Sequence, residues 1–361
     1  MLRQPEQAET IVGIQYLRAI AIIMVILQHF RNRLPSPEFF QLSFNYVNYW
    51  TGVDIFLAIS GYLMCRALVN SRSVHSSRSF MFINFLHRRF VRLIPCLVFW
   101  CVFCILLAYF LQPSWGFSPI NSLVTFYTSL FGYSNIHFYL CVTEGLNCDQ
   151  MNGVTWSLSL EWQLYLLLSF IVIIFKKEHW IYILSFLFTL SLLLPVSKNY
   201  YLTLGWWIRP HAFLLGAIIY LVKDKLPTLN SRFNLAVIIV LLLSIMMAPV
   251  WTNYHILLVV IGIIAAGIFI FFLKDSELLN QKGVTSYTLK WIGDRSYSIY
   301  LCHLPIMHAT REILNKELIN TSFYQNQYLY FFVFISSLII ISHLSYKLIE
   351  INFIEKYKKL S

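Results

Sequence analysis

Apolar runs of about twenty residues, separated by short polar and mostly basic connections, recur along the whole chain. A helix of that length spans the ~30 Å hydrocarbon core of a bilayer. The pattern predicts ten crossings, over 11–30, 50–69, 93–111, 154–175, 180–196, 205–222, 235–247, 256–272, 289–306 and 328–349. The expected fold is therefore all-α, a polytopic helix bundle forming one membrane domain over 1–361. No stretch reads as a separate soluble unit. The first run carries Arg18 and is not followed by a small-residue cleavage site, so it is expected to be retained as an anchor rather than removed as a signal peptide.

Composition agrees with the pattern. Hydrophobic residues make up 58% of the chain and charged residues 12%, against about 25% charge in soluble domains. The net charge of +11 is large enough to suggest nucleic acid, but its placement argues for topology instead. An even number of crossings puts both termini on one side. With that side cytoplasmic, nineteen Lys and Arg fall inside, from Arg3 to Lys359 and including Arg88, Arg89, Arg92 and Lys282, against five outside (Arg31, Arg33, Lys198, Arg311 and Lys316). That is the positive-inside bias of a multi-pass protein. Of the seven cysteines, Cys141 and Cys148 share the long external loop 112–153, where an oxidising exterior permits a disulfide. No Cys/His spacing resembles a metal site, and none is expected.

The polar exceptions within the runs carry the chemistry. Arg18 and His29 are eleven residues apart in the first run. At ~100° per residue they share a face, ~16 Å apart along the axis. An ionisable group inside a bilayer costs roughly 2.5–3.5 kcal/mol on insertion scales, so two on one stripe point to a polar path. The expected topology brings His29, Asp54, Glu161, Arg209 and His303 to one depth near the outer face, where facing one another satisfies them. On the inner side, Arg88, Arg89 and Arg92 lie within five residues. Guanidinium forks match phosphate oxygens, so this cluster suits either a polyphosphorylated ligand such as a coenzyme A thioester or a plain membrane anchor.

Together these groups suit acyl transfer. A histidine can take the proton of a sugar hydroxyl as that oxygen attacks a thioester. Asp54 is placed to orient His29, and Arg18 or Arg209 to stabilise the developing oxyanion. Plainer roles stand beside these: Asp54 as a helix cap, Glu161 with Arg209 as a structural ion pair, His303 bonded to a backbone carbonyl. Trp50, Trp156, Trp206, Trp207 and Tyr328 read as an interfacial belt, some of which, Trp156 among them, could stack on sugars. A transporter or flippase using the same stripe is the competing class, but no inverted internal repeat is visible.

At these residues the chain resembles the membrane-bound acyltransferase-3 family of bacterial O-acyltransferases. The matching features run in order: Arg18 with His29; Gly52-Val53-Asp54-Ile55-Phe56 into Ser60-Gly61-Tyr62; Arg88-Arg89-Phe90-Val91-Arg92; Thr155-Trp156-Ser157-Leu158 with Glu161 and Tyr165; Arg209 with Phe213 and Gly216; and Gly293 with Ser296-Tyr297-Ser298 and His303. The resemblance implies an O-acetyltransferase in the bacterial inner membrane. It would take an acetyl group from cytoplasmic acetyl-CoA and place it on a hydroxyl of a surface or lipid-linked glycan, such as lipopolysaccharide O-antigen or exopolysaccharide. Arg18, Arg88, Arg89 and Arg92 would hold the coenzyme. His29, Asp54, Glu161 and Arg18 would act catalytically, and Glu161, Trp156, Arg209 and His303 would meet the acceptor. No periplasmic hydrolase-like extension is expected. Other acyl donors, or a lipid or small-molecule acceptor, fit the same chemistry.

Overall fold

The computed structural model describes residues 12–31, 33–74, 77–111, 117–226, 231–274, 283–318 and 326–360. Ile11, Arg3 and Lys282, used in the sequence reading, lie outside them. Every regular element among the described residues is helical. The helices are α1 (Val12–Phe30), α2 (Glu38–Ser43), α3 (Gly52–Val74), α4 (Arg78–Leu111), α5 (Pro119–Leu130), α6 (Ser134–Thr143), α7 (Thr155–Ile174) and α8 (Lys177–Ser191). The chain continues through α9 (Leu204–Trp207), α10 (His211–Val222), α11 (Ser231–Trp251), α12 (Leu257–Lys274), α13 (Val284–Asp294), α14 (Ser296–Leu318), α15 (Gln327–Ser345) and α16 (Asn352–Leu360). Five helical stretches among the described residues are long and apolar enough to cross a membrane: Val12–Phe30, Gly52–Arg72, Arg78–Leu111, Thr155–Ile174 and Gln327–Tyr357. The chain is a multi-pass membrane protein.

Two expected crossings are broken. The run over 205–222 is interrupted at Ile208-Arg209-Pro210, because proline lacks an N–H and drives the preceding residue out of helical geometry. The carbonyl of Trp207 freed by the break accepts from Asn135 Nδ2 at 3.1 Å, so the break is satisfied internally, as membrane depth requires. The run over 289–306 is likewise split, at Arg295. Just before it, Gly293 packs so closely on the Gln15 carbonyl of α1 that a Cβ would overlap it.

The loop 112–153 is not the open connection its polarity suggests. Ser118 caps α5 through a bond from Asn121 N, with Pro119 at the first helical position. A disulfide between Cys141 and Cys148 ties α6 to the turn that follows it. The third expected crossing also begins earlier, since α4 starts at Arg78 and runs 34 residues, ~51 Å at 1.5 Å per residue. Its arginine-bearing turns therefore extend past the hydrocarbon thickness while continuing the same rod. In the turn before Pro95, the carbonyl of Leu93 accepts from the Tyr297 hydroxyl at 2.7 Å.

The centre of the bundle is built by backbone contact. Gly61 on α3 faces the Phe213 carbonyl of α10, and Gly216 on α10 faces the Ala58 carbonyl of α3; a side chain at either glycine would overlap that backbone. Without water to drive apolar association, small residues that admit close approach hold membrane helices together. This seam fixes α3 against α10 and so sets Asp54 opposite Arg209.

Candidate active site

The five residues expected at one depth are sorted into three separate groups. His29 Nδ1 lies 2.9 Å from His303 Nε2. His303 Nδ1 in turn lies 2.8 Å from the Tyr300 carbonyl, which can only accept, so that nitrogen carries the proton. His303 Nε2 is then the acceptor, and His29 Nδ1–H the donor. The chain of bonds leaves His29 Nε2 as a lone pair, which is what a general base requires. The partner orienting His29 is thus a histidine anchored on a helix carbonyl.

Asp54 does not stand behind His29. Its Oδ1 lies 3.5 Å from Arg209 Nε, and both side chains are almost wholly buried. The Glu161–Arg209 pair considered from sequence does not form: the α3–α10 seam presents Asp54 to Arg209 instead. The Arg209 guanidinium also lies over three indole rings, 4.8 Å from the centroid of Trp50, 5.0 Å from Trp156 and 3.9 Å from Trp206. Trp50, Trp156 and Trp206 therefore build a cage around a buried cation rather than an interfacial belt. Electrostatic attraction to the ring faces is what makes such a desolvated cation tolerable.

Glu161 belongs to a third group. It accepts from the hydroxyls of Tyr165 and Ser60, which are 2.8 Å from one another. This cluster lines a cavity of about 810 Å³, its open mouth included, that also takes Arg18 from α1, Arg89 and Arg92 from α4, and Tyr297 and Tyr300 from α14. Arg88 is exposed on the other side of α4, its Nε donating to Asn84 at 3.2 Å, because one residue along a helix turns the side chain ~100° away. None of the three lining arginines forms a salt bridge among the described residues. Three guanidinium groups against one carboxylate give the cavity a net positive lining of the kind that suits anions. At Tyr300 its wall adjoins the histidine pair: the Tyr300 hydroxyl meets Ser157 Oγ at 2.6 Å, while the carbonyl of the same residue holds His303.

Two residues escaped the sequence reading. Asn135, fully buried on α6, bonds both Gln163 and the freed Trp207 carbonyl. Glu350 is buried in a π-helical turn, Tyr346–Ile351, and accepts from Ser298 Oγ at 3.1 Å on the strand of α14 residues that backs the cavity. A carboxylate directly after an apolar run was the available signal for Glu350; for Asn135, inside a polar loop, there was none.

No solved structure matches this chain. It is 27% identical over 333 residues to the peptidoglycan O-acetyltransferase OatA of Listeria monocytogenes, covering 84% of this chain and 50% of that one. It is 26% identical over 325 residues to the O-acetyltransferase OatA of Staphylococcus aureus, covering 82% of this chain and 50% of that protein. The chain thus spans about half the length of these relatives. The family model described as an acyltransferase domain, acyltransferase-3, matches residues 11–346, and with that match over nearly its whole length the chain belongs to the acyltransferase-3 family.

Proposed function

We propose that this protein is an O-acetyltransferase that takes an acetyl group from cytoplasmic acetyl-CoA and delivers it to a hydroxyl of a surface glycan, lipopolysaccharide O-antigen or exopolysaccharide, across the bacterial inner membrane. In this reading the chain makes ten crossings with both termini cytoplasmic. The observation that carries it is the pairing of an arginine-lined cavity, which takes Arg18 from α1, with a histidine of defined tautomer eleven residues further along the same helix. The relatives' names, which specify O-acetyl transfer and in one case peptidoglycan, support the reaction class and a glycan acceptor.

Arg18, Arg89 and Arg92 bind the phosphates of the donor, and the ~16 Å between Arg18 and His29 is within reach of an extended pantetheine arm. His29 Nε2 removes the proton from the acceptor hydroxyl as its oxygen bonds to the thioester carbon. The carbon–sulfur bond then breaks, and the imidazolium returns its proton to the departing thiolate. His303, accepting from His29 Nδ1–H, steadies the imidazolium much as a triad's third member does. Glu161 keeps the cavity from accumulating a third uncompensated charge.

The reading is tested by mass spectrometry of surface glycan from cells with and without this chain. One added acetyl group per repeating unit, present only with the chain, is the expected result. An unchanged glycan, with the protein confirmed in the membrane, overturns it. The donor site has its own test. Losing a charge-assisted contact costs about 1.5–3 kcal/mol, so Arg89→Ala is expected to raise the KM for acetyl-CoA roughly 10- to 100-fold. Arg88→Ala, which faces away from the cavity, is expected to change it less than threefold, about 0.6 kcal/mol. Equal effects at the two positions would contradict the assignment of the cavity.

A further inference from the structure

Beside the histidine pair, at the C-terminal end of α1, lies a second hollow of about 950 Å³, its open mouth included. Arg31, Arg33, Arg311 and His308 line it with Gln28 and Gln150, and no acidic side chain among the described residues does. Gln28 immediately precedes His29 on α1, and His308 follows His303 along α14, so the hollow shares both of the helices that carry the pair.

Its basic groups are held in place. Arg33 Nη1 donates to the His29 carbonyl at 3.2 Å, and Arg311 Nη1 to the Arg33 carbonyl at 3.4 Å. His308 Nε2–H meets the Gln150 carbonyl at 3.2 Å, which leaves its Nδ1 to accept from Arg311 Nη2 at 3.4 Å. Arg311 also pairs with Glu312, its neighbour in sequence, at 3.5 Å. Arg31 and Arg33, by contrast, form no salt bridge among the described residues. Arg31 Nε is buried with no hydrogen-bond partner, its guanidinium 4.2 Å from the centroid of the Phe44 ring. Like charges gathered around a cavity without a carboxylate repel one another, and an anion placed among them converts that repulsion into binding. Guanidinium groups present paired N–H donors that match the oxygens of a carboxylate or phosphate.

We propose that the Arg31–Arg33–Arg311 hollow binds an oxyanionic group of the acceptor glycan, a carboxylate or a phosphate, and so sets which hydroxyl reaches His29. The proposal rests on the preceding reading, in which an acceptor hydroxyl is deprotonated by His29. An acceptor gripped by its own charge beside the base is confined to a few orientations, which selects one hydroxyl over its neighbours.

The test uses the full chain in lipid nanodiscs with radiolabelled acetyl-CoA. The acceptor is surface polysaccharide from cells lacking this chain, in three forms: untreated, with carboxylates amidated by carbodiimide, and with phosphodiesters removed by aqueous hydrogen fluoride. One of the two treatments is expected to lower kcat/KM at least tenfold, about 1.4 kcal/mol, and which one does so identifies the anion. Arg31→Gln is expected to lower transfer to untreated glycan by a similar factor and to abolish the distinction between treated and untreated forms. Arg31→Lys, which keeps the charge, is expected to restore part of it and guards against a folding defect. Transfer that is indifferent to both treatments, or discrimination that survives Arg31→Gln, overturns the anion subsite while leaving the acetyl-transfer reading intact. Transfer to none of the three forms overturns that reading, and the subsite's role with it.

Discussion

Replacing His29 by Ala is expected to abolish most of the turnover and none of the donor binding. General base catalysis by a positioned side chain contributes typically 10²–10⁴-fold, about 2.7–5.5 kcal/mol of transition-state stabilisation. His29 Nε2 is the nitrogen left unprotonated by the bonds running from Tyr300 through His303. Arg18, Arg89 and Arg92, proposed to hold the donor, line a cavity that His29 does not line. Equilibrium binding of labelled acetyl-CoA should therefore be unchanged in the variant while transfer to glycan collapses. His303→Ala separates positioning from chemistry. It removes the acceptor of His29 Nδ1–H and frees the ring to take either tautomer, so it should lower kcat less than His29→Ala and leave the KM for acetyl-CoA alone. His29→Ala retaining transfer within tenfold of the unaltered protein would sink the base assignment. Parallel loss of donor binding would mean instead that the ring supports the fold.

That arrangement was only partly legible in the sequence. The spacing of Arg18 and His29 shows that they share a helix face, since the rise and rotation of a helix are fixed; in the structure both lie on α1, Arg18 in the wall of the arginine-lined cavity and His29 against His303. What linear spacing does not carry is the rotation of one helix about another. Asp54, Glu161 and His303 are all expected at one depth near the outer face, yet the close seam of Gly61 and Gly216 turns Asp54 toward Arg209. Glu161 instead lines the cavity with Arg18, Arg89 and Arg92. Arg88 and Arg89, adjacent in sequence, meet different environments because one residue along a helix turns the side chain ~100°. The break before α10 had a local signal in Pro210, as α5 did in Ser118-Pro119. Membrane helices tolerate such breaks where a neighbour satisfies the exposed backbone, and the neighbour here, Asn135, comes from a loop whose own folding the hydropathy pattern conceals.

The largest expected loss of stability follows from Arg209→Met. Removing one partner of a buried ion pair leaves an uncompensated charge, and the cost is about 3–5 kcal/mol. Asp54 is 3% exposed and its Oδ2 has no hydrogen-bond partner, so little else is at hand to receive its charge. The cage of Trp50, Trp156 and Trp206 loses its cation as well, a further contribution of up to about 2 kcal/mol for a desolvated site. Thermal unfolding in detergent, followed through tryptophan emission, should show a clear fall in the midpoint, with the caged indoles reporting directly. The double variant Arg209→Met with Asp54→Asn decides between the two terms. If the stranded carboxylate dominates, neutralising it should recover more than half of the loss, since a buried ion pair replaced at both ends by neutral groups is often tolerated. If the ring contacts dominate, the double variant should be no more stable than the single one, and the role of Asp54 would be to tune the site rather than to hold Arg209 in it. An unchanged midpoint in Arg209→Met would contradict both, and with them the view that this buried, caged pair contributes to stability.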